Sequence, residues 1–478
     1  MNHPANIMAP SIAHINELTR LFDAQQQAVL VHGAPTYKQR IADLDAVLHM
    51  ITTNLDGLVE TVCADFGNRS FDETRLSELM PIVNGIKHVR SHLKAWMRPV
   101  KRNVGIAFKP ATAHVVYQPL GVIGILAPWN YPLTLTLVPL VEALAAGNRV
   151  MLKPSELTPR TAQLLKRLLG AIFPPEQVAV VIGDAALAGR FSELAFDHLL
   201  FTGSTNVGRH VMAAAARNLT PVTLELGGKS PVVIDADFPV KKAARLVAIG
   251  KFFNAGQTCV APDYVMVPRH LVDTFAAELL SAAKQLYPTI DANKDYTSII
   301  SPRHYERLVK MIEQASTSGA RIWQHGTVGK ADERKIPPTI LTGVSLDTDV
   351  MLEEIFGPLL PVIAYDSIEQ AIAFINARPK PLALYCFSNN SAVTNQVLEQ
   401  TRSGGVTING TMLHATQDDL PFGGVGNSGT GAYHGYDGFV RLSHARGVFK
   451  LSRFNMSDKV AAPYGTMARL VTRLMLGK

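Results

Sequence analysis

The sequence predicts an α/β protein built on a doubly wound, mostly parallel sheet, with a second α/β region after it. Helical patterns fill about the first hundred residues, short apolar runs alternate with helical patterns from about Val115, and a similar alternation begins again near Val222. A chain of 478 residues, 47% of them hydrophobic, is also long enough to bury the cores of two or three domains.

The N-terminal helices are predicted from apolar residues at three- and four-residue steps. These steps run through 12–22 and 41–51. A third helix passes through Leu93 and Trp96 and ends near Pro99, because proline cannot continue a helix in its interior.

The strands of the first α/β region are four short apolar runs, a pattern typical of strands buried on both faces. They span 122–126, 149–153, 178–183 and 198–203, and a helix follows each. Pro132 opens the first of these helices, and Thr158 with Pro159 opens the second.

The second region begins with two predicted strands, VTLEL from Val222 and PVVID from Pro231. Helices are predicted later over about 239–254 and 272–286. The segment 402–446 is rich in Gly, Asn and Ser with little periodicity, so we expect it to be loop-dominated.

The net charge of +7 is partly local. Five basic residues recur at helical steps and predict one basic stripe on a helix: Lys87, Arg90, Lys94, Arg98 and Lys101. Such a stripe fits either a patch for nucleic acid or anionic membrane, or a solvated helix face. Since no aromatic residues are interleaved and no nucleic-acid motif is present, we expect no nucleic-acid partner.

The three cysteines, Cys63, Cys259 and Cys386, are too few for a disulfide framework and favour a reducing compartment. The N-terminus has no signal-peptide pattern, and no apolar run approaches the ~20 residues that span a bilayer. We therefore expect a cytoplasmic protein without stable membrane insertion.

The C-terminal tail contains a predicted amphipathic helix. Met467, Leu470, Val471 and Leu474 share one face of it. We expect this face to pack on the protein or, at most, to associate weakly with a membrane surface.

Two glycine-containing segments are candidate phosphate sites. GVGNSG (424–429) has dinucleotide-fingerprint spacing, but Pro421 precedes it instead of a strand and no acid follows at the required distance, so we predict backbone turns there. In FTGSTNVG a strand ends at Gly203 and Ser204 can cap the next helix. That helix terminus suits a pyrophosphate, although an ordinary capped turn explains the pattern equally well.

Three residues are candidates for covalent chemistry. Cys259 lies on a predicted turn between helix and strand, where backbone donors can favour a thiolate; the alternative is a small buried apolar residue, the role we assign to Cys63 and Cys386. Glu225 ends an apolar strand, where desolvation would raise its pKa and suit a general base, unless it is simply an exposed strand end. Asn130 follows another strand and can point its amide N–H at an oxyanion, or can serve a proline-flanked turn.

Seven motifs in order make the sequence resemble the aldehyde dehydrogenase superfamily, over about residues 115 to 446. They are PWN (128–130), KPSE (153–156), FTGSTNVG (201–208), ELGGK (225–229), FNAGQTC (253–259), EEIFGP (353–358) and PFGGVGNSG (421–429).

The resemblance implies that Cys259 is the nucleophile and Glu225 the base that activates water. It implies that Asn130 and the backbone N–H of Cys259 form the oxyanion hole. It also implies a set of cofactor contacts: Trp129, Lys153, Glu156, Gly203, Ser204, Gly208, Glu354 and Phe356. The implied cofactor is NAD, because the Glu156 carboxylate can bind a ribose 2′-hydroxyl, with NADP left open; no metal is expected.

The resemblance further implies three domains and a homodimer. The NAD(P)-binding domain would span 1–101 and 121–224, and the catalytic domain 225–413. A small β oligomerisation arm would span 102–120 and 414–446, which leaves 447–478 as a C-terminal tail.

Within the superfamily the chain looks like the class 3 branch. QDDLPFGGVG resembles the members that oxidise coniferyl aldehyde, which implies an aromatic aldehyde substrate; a medium- or long-chain aliphatic aldehyde is the alternative. An enzyme that transfers the acyl group to CoA is disfavoured because Glu225 is retained. A non-catalytic structural family member is disfavoured because Cys259 and Asn130 are present as well.

Overall fold

The computed structural model describes residues 11–326, 328, 332–455 and 459–477. The first ten residues, on which the signal-peptide prediction partly rests, lie outside this range. In the N-terminal half the helices are α1 Ile12–His32, α2 Tyr37–Thr53, α3 Leu55–Phe66, α4 Phe71–Thr74, α5 Met80–Trp96, α6 Thr134–Ala146, α7 Pro159–Ile172, α8 Ala185–Ser192 and α9 Thr205–Ala216. The strands there are β1 Val100–Arg102, β2 Thr112–Pro119, β3 Val122–Leu126, β4 Arg149–Lys153, β5 Val178–Val180, β6 His198–Gly203 and β7 Val222–Leu226.

In the C-terminal half the helices are α10 Val240–Phe252, α11 Val272–Leu286, α12 Pro302–Thr317, α13 Asp349–Leu352, α14 Ile368–Asn376, α15 Ser391–Gln400, α16 Gly435–Arg441 and α17 Thr466–Met475. The strands are β8 Pro231–Ile234, β9 Tyr264–Pro268, β10 Arg321–Gln324, β11 Thr339–Thr342, β12 Leu359–Tyr365, β13 Ala383–Phe387, β14 Gly405–Ile408, β15 Gly429–Thr430 and β16 Ser443–Lys450.

The first sheet has the order β15-β7-β6-β3-β4-β5 and is parallel except for β15. Alternate residues of β3 enter different cores. Ile123 and Ile125 pack with α2, α3, α5, α6 and α7, whereas Val122 and Leu126 pack with α1, α8 and α9. Both faces are thus covered by helices, which confirms the predicted doubly wound sheet and explains its uninterrupted apolar strands.

The second sheet has the order β10-β11-β12-β9-β8-β13-β14, with α10 and α11 packed on one face and α14 and α15 on the other. One assignment needs correction. VTLEL, predicted to open the second region, pairs with β6 and belongs to the first sheet as β7. The predicted boundary at 224/225 therefore cuts a strand, and the chain changes sheets between Leu226 and Pro231. Both strands are buried apolar runs, so their pattern does not show which sheet each one joins.

The third sheet is antiparallel, with the order β1-β2-β16. It overlaps the predicted arm of 102–120 and 414–446, since β2 lies inside the first piece and β16 begins in the second and extends to Lys450, while other parts of 414–446 lie elsewhere. That glycine-rich segment returns to the first sheet as β15 and also forms α16. Sequence periodicity could not reveal α16, which has only seven residues and begins Gly-Tyr-Asp-Gly.

The basic stripe is shorter than predicted. α5 ends at Trp96, so Arg98 lies in the following turn and Lys101 in β1. Arg90 pairs with Asp45 of α2 at 2.6 Å, which fits the interpretation of this face as a solvated helix surface.

The tail helix α17 forms, but it packs differently from the prediction. Leu470 is 56% exposed and Leu474 is 78% exposed, while Ala468 is the buried residue of this helix. No helix in the described part of the chain combines the length and apolarity needed to cross a membrane.

Candidate functional site

The candidate site lies where four parallel strands of the first sheet end. Lys153 ends β4 and Gly203 ends β6, while Glu225 is the penultimate residue of β7 and Asn130 lies four residues after β3. The strand order β7-β6-β3-β4 places these ends side by side. A crevice outside the carboxyl ends of parallel strands is where open α/β sheets bind ligands.

Cys259 follows an unusual turn between α10 and β9. Asn254 and Ala255 have φ values of 50° and 49°, a left-handed conformation that non-glycine residues rarely adopt. Two side chains hold the turn. The Asn254 amide donates to the carbonyl of Asn130 at 3.2 Å, and the Gln257 amide donates to the carbonyls of Asn254 and Ser298, each at 3.1 Å. Such strain persists only where the surroundings fix it, and it is typical of functional sites.

The thiol of Cys259 lies where two cavities meet. A cavity of about 370 Å³, lined mainly by apolar side chains of α5, α6 and residues 412–435, reaches Cys259 from one side. A cleft of about 1070 Å³ between the two large sheets reaches it from the other side and includes Asn130 and Glu225. The structure therefore brings the three predicted catalytic residues together.

The electrostatics of Cys259 differ from the expectation of a stabilised thiolate. Burial raises the pKa of the thiol to about 12, and the carboxylates of Glu354 and Glu225 also raise it. The backbone N–H groups of Cys259 and Val260 lower the pKa, as expected of the turn, but they do not offset burial. In the protein alone the thiol is protonated near neutral pH.

Glu225 is buried, as predicted, with neither carboxyl oxygen hydrogen-bonded among the described residues. Its strand pairs with β15 so that Gly429 lies opposite it. Burial raises the pKa of Glu225 well above its ordinary value, and the Glu142 carboxylate raises it further. A carboxyl group with a raised pKa can accept and return a proton near neutral pH.

The smaller cavity has aromatic walls and a few polar groups. Its rings are Tyr131, Phe253, Phe422 and Tyr433, and its polar residues include His88, Glu142 and Asp418. Glu142 is buried, and its carboxyl group accepts from the backbone N–H of His434 at 2.9 Å. Sequence analysis missed Glu142, although an acid in the apolar helix LTLTLVPLVEALAA was a usable signal.

The larger cleft is lined by five of the predicted cofactor contacts: Trp129, Gly203, Ser204, Glu354 and Phe356. Ser204 caps α9 as predicted, accepting from the backbone N–H of Val207 at 3.4 Å, and the exposed helix terminus suits a pyrophosphate. The volume, the helix terminus and the carboxylates fit a dinucleotide.

Three further predicted contacts are absent from the lining of this cleft, namely Lys153, Glu156 and Gly208. Lys153 donates to the carbonyl of Pro154 at 2.9 Å and lies 3.6 Å from the Glu156 carboxylate, beside the end of β3. Gly208 lies inside α9, where a Cβ would collide with Leu226, so packing also accounts for this glycine.

The loop that carries Glu354 and Phe356 is fixed by an ion pair that sequence analysis did not identify. Lys229 pairs with Asp263 and donates to the carbonyl of Glu353 at 2.9 Å, while Asp263 accepts from the backbone N–H of Ile355 at 2.9 Å. Burial and Asp263 raise the pKa of Glu354 to about 7. Lys229 lies in ELGGK, but its role needs Asp263, which is distant in sequence.

Comparison with known proteins gives one consistent result. A model of the aldehyde dehydrogenase family matches residues 6–448. A probable coniferyl aldehyde dehydrogenase of Pseudomonas aeruginosa is 50% identical over 97% of each chain, and a dimeric NADP-preferring aldehyde dehydrogenase of Rattus norvegicus is 40% identical over 87% of this chain and 90% of its own. A structure described as the substrate-bound state of Staphylococcus aureus AldH superposes with a TM-score of 0.91 at 35% identity, covering 96% of this chain and 99% of that one.

The raised pKa of Cys259 predicts slow alkylation of the protein alone. Below a raised pKa the thiolate fraction is small, so iodoacetamide should modify Cys259 at pH 8 at least about tenfold more slowly than free cysteine, whose pKa is ≈ 8.5. The rate should still rise between pH 8 and 9.5. Peptide mass spectrometry measures it, with Cys259→Ser as the control for labelling at Cys63 and Cys386. A rate that levels off by pH 8 would contradict the raised pKa.

Proposed function

The chain belongs to the aldehyde dehydrogenase family, and from this premise we propose that it oxidises an aromatic aldehyde resembling coniferyl aldehyde, with NAD⁺ as its preferred oxidant. As a family member it is an NAD(P)-dependent oxidoreductase that acts on aldehydes. The observation that most supports the proposal is the position of Cys259, which faces an apolar aromatic-walled cavity on one side and a dinucleotide-sized cleft on the other.

We assign covalent catalysis to Cys259. Its thiol gives its proton to solvent water as the sulfur forms a bond to the aldehyde carbon, and the π bond of the carbonyl breaks so that its oxygen becomes an alkoxide. The side-chain amide of Asn130 and the backbone N–H of Cys259 stabilise this alkoxide. A dinucleotide held in the cleft lined by Trp129, Ser204 and Glu354 would supply the hydride acceptor for the same carbon, so that Cys259 is left as a thioester.

We assign the second half of the reaction to Glu225. Its carboxylate takes a proton from water as the water oxygen attacks the thioester carbon. The C–S bond then breaks, which releases the carboxylic acid and returns the sulfur of Cys259. The buried position of Glu225 matches this task, since a raised pKa makes a carboxylate a stronger base.

We propose that Trp129, Gly203, Ser204, Glu354 and Phe356 contact the cofactor in the cleft that they line. The preference for NAD rests on Glu156, whose half-exposed carboxylate lies just beyond the end of β4. A carboxylate can bind a ribose 2′-hydroxyl and repels a 2′-phosphate. NADP is the competing cofactor, as the name of the rat relative illustrates.

An aromatic substrate is favoured by the cavity that ends at Cys259. Four aromatic side chains wall it, and His88 and Asp418 add polar groups that a purely aliphatic chain would leave unpaired. The Nε2 atom of His88 is buried and lacks a hydrogen bond among the described residues, although Asp419 lies 3.6 Å from it. A phenolic hydroxyl would provide a partner. Asp418 and Asp419 are the acids of QDDLPFGGVG, the motif that resembles enzymes of coniferyl aldehyde.

We also propose a cytoplasmic homodimer assembled through the third sheet. Four large apolar side chains near this sheet are exposed: Ile106, Phe108, Phe449 and Leu451. β16 is an edge of the sheet, and such an edge can pair with a second copy. The three cysteines are free, which suits a reducing compartment.

Cys259→Ala should abolish aldehyde oxidation and leave NAD binding measurable, because the variant removes the nucleophile but no proposed cofactor contact. Steady-state NADH formation and cofactor titration by protein fluorescence measure the two properties. Cys63→Ala is the matched control and should retain activity. Turnover by Cys259→Ala at a tenth of the wild-type rate would refute the assignment.

Glu225→Gln and Asn130→Ala should affect different steps. Glu225→Gln should still give one burst of NADH per site, followed by turnover slowed roughly 10²–10⁴-fold, the usual contribution of a positioned base. Asn130→Ala should slow the burst itself by on the order of 10²–10³, the cost of one oxyanion donor. Rapid-mixing absorbance at 340 nm separates the steps. Absence of any burst in Glu225→Gln would show that Glu225 also deprotonates Cys259.

His88→Phe should lower kcat/KM for coniferyl aldehyde by roughly 3- to 10-fold relative to cinnamaldehyde, which lacks the phenolic hydroxyl, since one hydrogen bond is lost. His92→Phe, which changes a neighbouring histidine absent from the cavity lining, should not change this ratio. The same assays should include hexanal as an aliphatic substrate, and each should be run with NAD and with NADP. Equal losses for both aromatic aldehydes would contradict phenol recognition, and wild-type preference for hexanal would favour the aliphatic alternative.

A further inference from the structure

Arg69 is a fully buried cation in the loop between α3 and α4, close to the candidate site. A buried charge costs several kcal/mol unless it is paired and hydrogen-bonded. Two buried carboxylates compensate it here: Glu78 lies 3.2 Å from its Nη1 atom, and Glu73 lies 3.8 Å from its Nε atom. Charge compensation alone does not explain why an arginine is present, because an apolar side chain would need neither carboxylate.

The same guanidinium holds the backbone of Asn130. Its Nη1 atom donates to the Asn130 carbonyl oxygen at 2.8 Å, and the Asn254 amide donates to that oxygen at 3.2 Å. Asn254 belongs to the left-handed turn before Cys259. Arg69, between α3 and α4, and Asn254, in the turn before Cys259, therefore both hold the Asn130 carbonyl. These two contacts restrict the direction of the Asn130 side chain.

Glu78 fixes the other end of the same loop. One of its oxygens accepts from the backbone N–H groups of Leu133 and Thr134 at 2.7 and 3.1 Å, at the start of α6. The guanidinium also stacks on Tyr131, 4.9 Å from the ring centre. The Tyr131 hydroxyl is 2.6 Å from that of Thr258, which precedes the nucleophile.

From these contacts we propose that Arg69 is a positioning residue for the oxyanion hole: it orients Asn130 relative to Cys259 and does not itself touch the substrate. This inference rests on the proposed role of Asn130. Arg69 combines three functions that no other side chain supplies together, namely a planar fork of donors, a permanent charge for two carboxylates and a flat face for Tyr131. Displacement of an aligned group by about 1 Å can cost on the order of 10²-fold in rate.

The test is a double-mutant cycle on the rate of the NADH burst, with Arg69→Met and Asn130→Ala alone and together. Arg69→Met should slow the burst by roughly 10- to 100-fold, while the Kd for NAD changes by less than about twofold. If Arg69 acts through Asn130, adding Arg69→Met to Asn130→Ala should slow the burst by less than about threefold, because residues acting as a unit are not additive. Arg40→Met removes another buried arginine, which donates to the carbonyls of Pro35 and Ala145 and lines neither cavity, so it is the matched control; its burst should be unchanged.

The possible failures are distinguishable. An undiminished effect of Arg69→Met in the Asn130→Ala background, or a wild-type burst in Arg69→Met, overturns the inference and leaves the proposed function intact. A wild-type burst in Asn130→Ala overturns the inference together with the assignment of Asn130 to the oxyanion hole, whereas absence of any NADH formation by the wild-type protein with every aldehyde tested would overturn the proposed function itself. Should Arg69→Met fail to fold, Arg69→Lys keeps the charge but not the fork, and in the same cycle it should slow the burst only when Asn130 is present.

Discussion

The site depends on the pairing of β15 with β7. This two-residue strand lies far along the chain, yet it closes the edge of the first sheet and covers Glu225. The backbone N–H of Leu226 donates to the carbonyl of Ser428 at 3.0 Å, which extends the contact past Glu225. Without this cover Glu225 would end an open edge strand in water, and the burial that raises its pKa would be lost.

Burial has opposite consequences for the two reacting groups. It makes Glu225 a stronger base, but it makes the Cys259 thiol harder to ionise, and the neighbouring carboxylates of Glu354 and Glu225 add to that effect. In the protein alone Cys259 is therefore held in the less reactive, protonated form.

The sequence predicted the doubly wound sheet and most of its strands because buried parallel strands leave uninterrupted apolar runs. Because β7 and β8 are both mostly apolar, their sequences did not show that the chain changes sheets between them. Cys259, Glu225 and Asn130, which the structure brings to one cleft, could be singled out because each departs from its local pattern. Arg69 and Asp263 were not predicted, because their roles depend on contacts with residues distant in the chain, and a charged residue in a connecting segment carries no sign of burial in the sequence.

Gly424 and Gly429, which lie beside Glu225, should tolerate few substitutions. Gly429 has a φ of 153°, and a Cβ there would collide with the carbonyl oxygen of Leu224; a Cβ on Gly424 would collide with the backbone at Ser428. Neither glycine has a side chain to contribute, although the backbone N–H of Gly424 lowers the pKa of Glu225, and a side chain at either position would disturb the segment that covers Glu225. In a complete substitution scan, replacements at these two glycines should therefore be tolerated as poorly as replacements of Cys259. Such a scan would assign both glycines to the site, although neither has a reactive side chain.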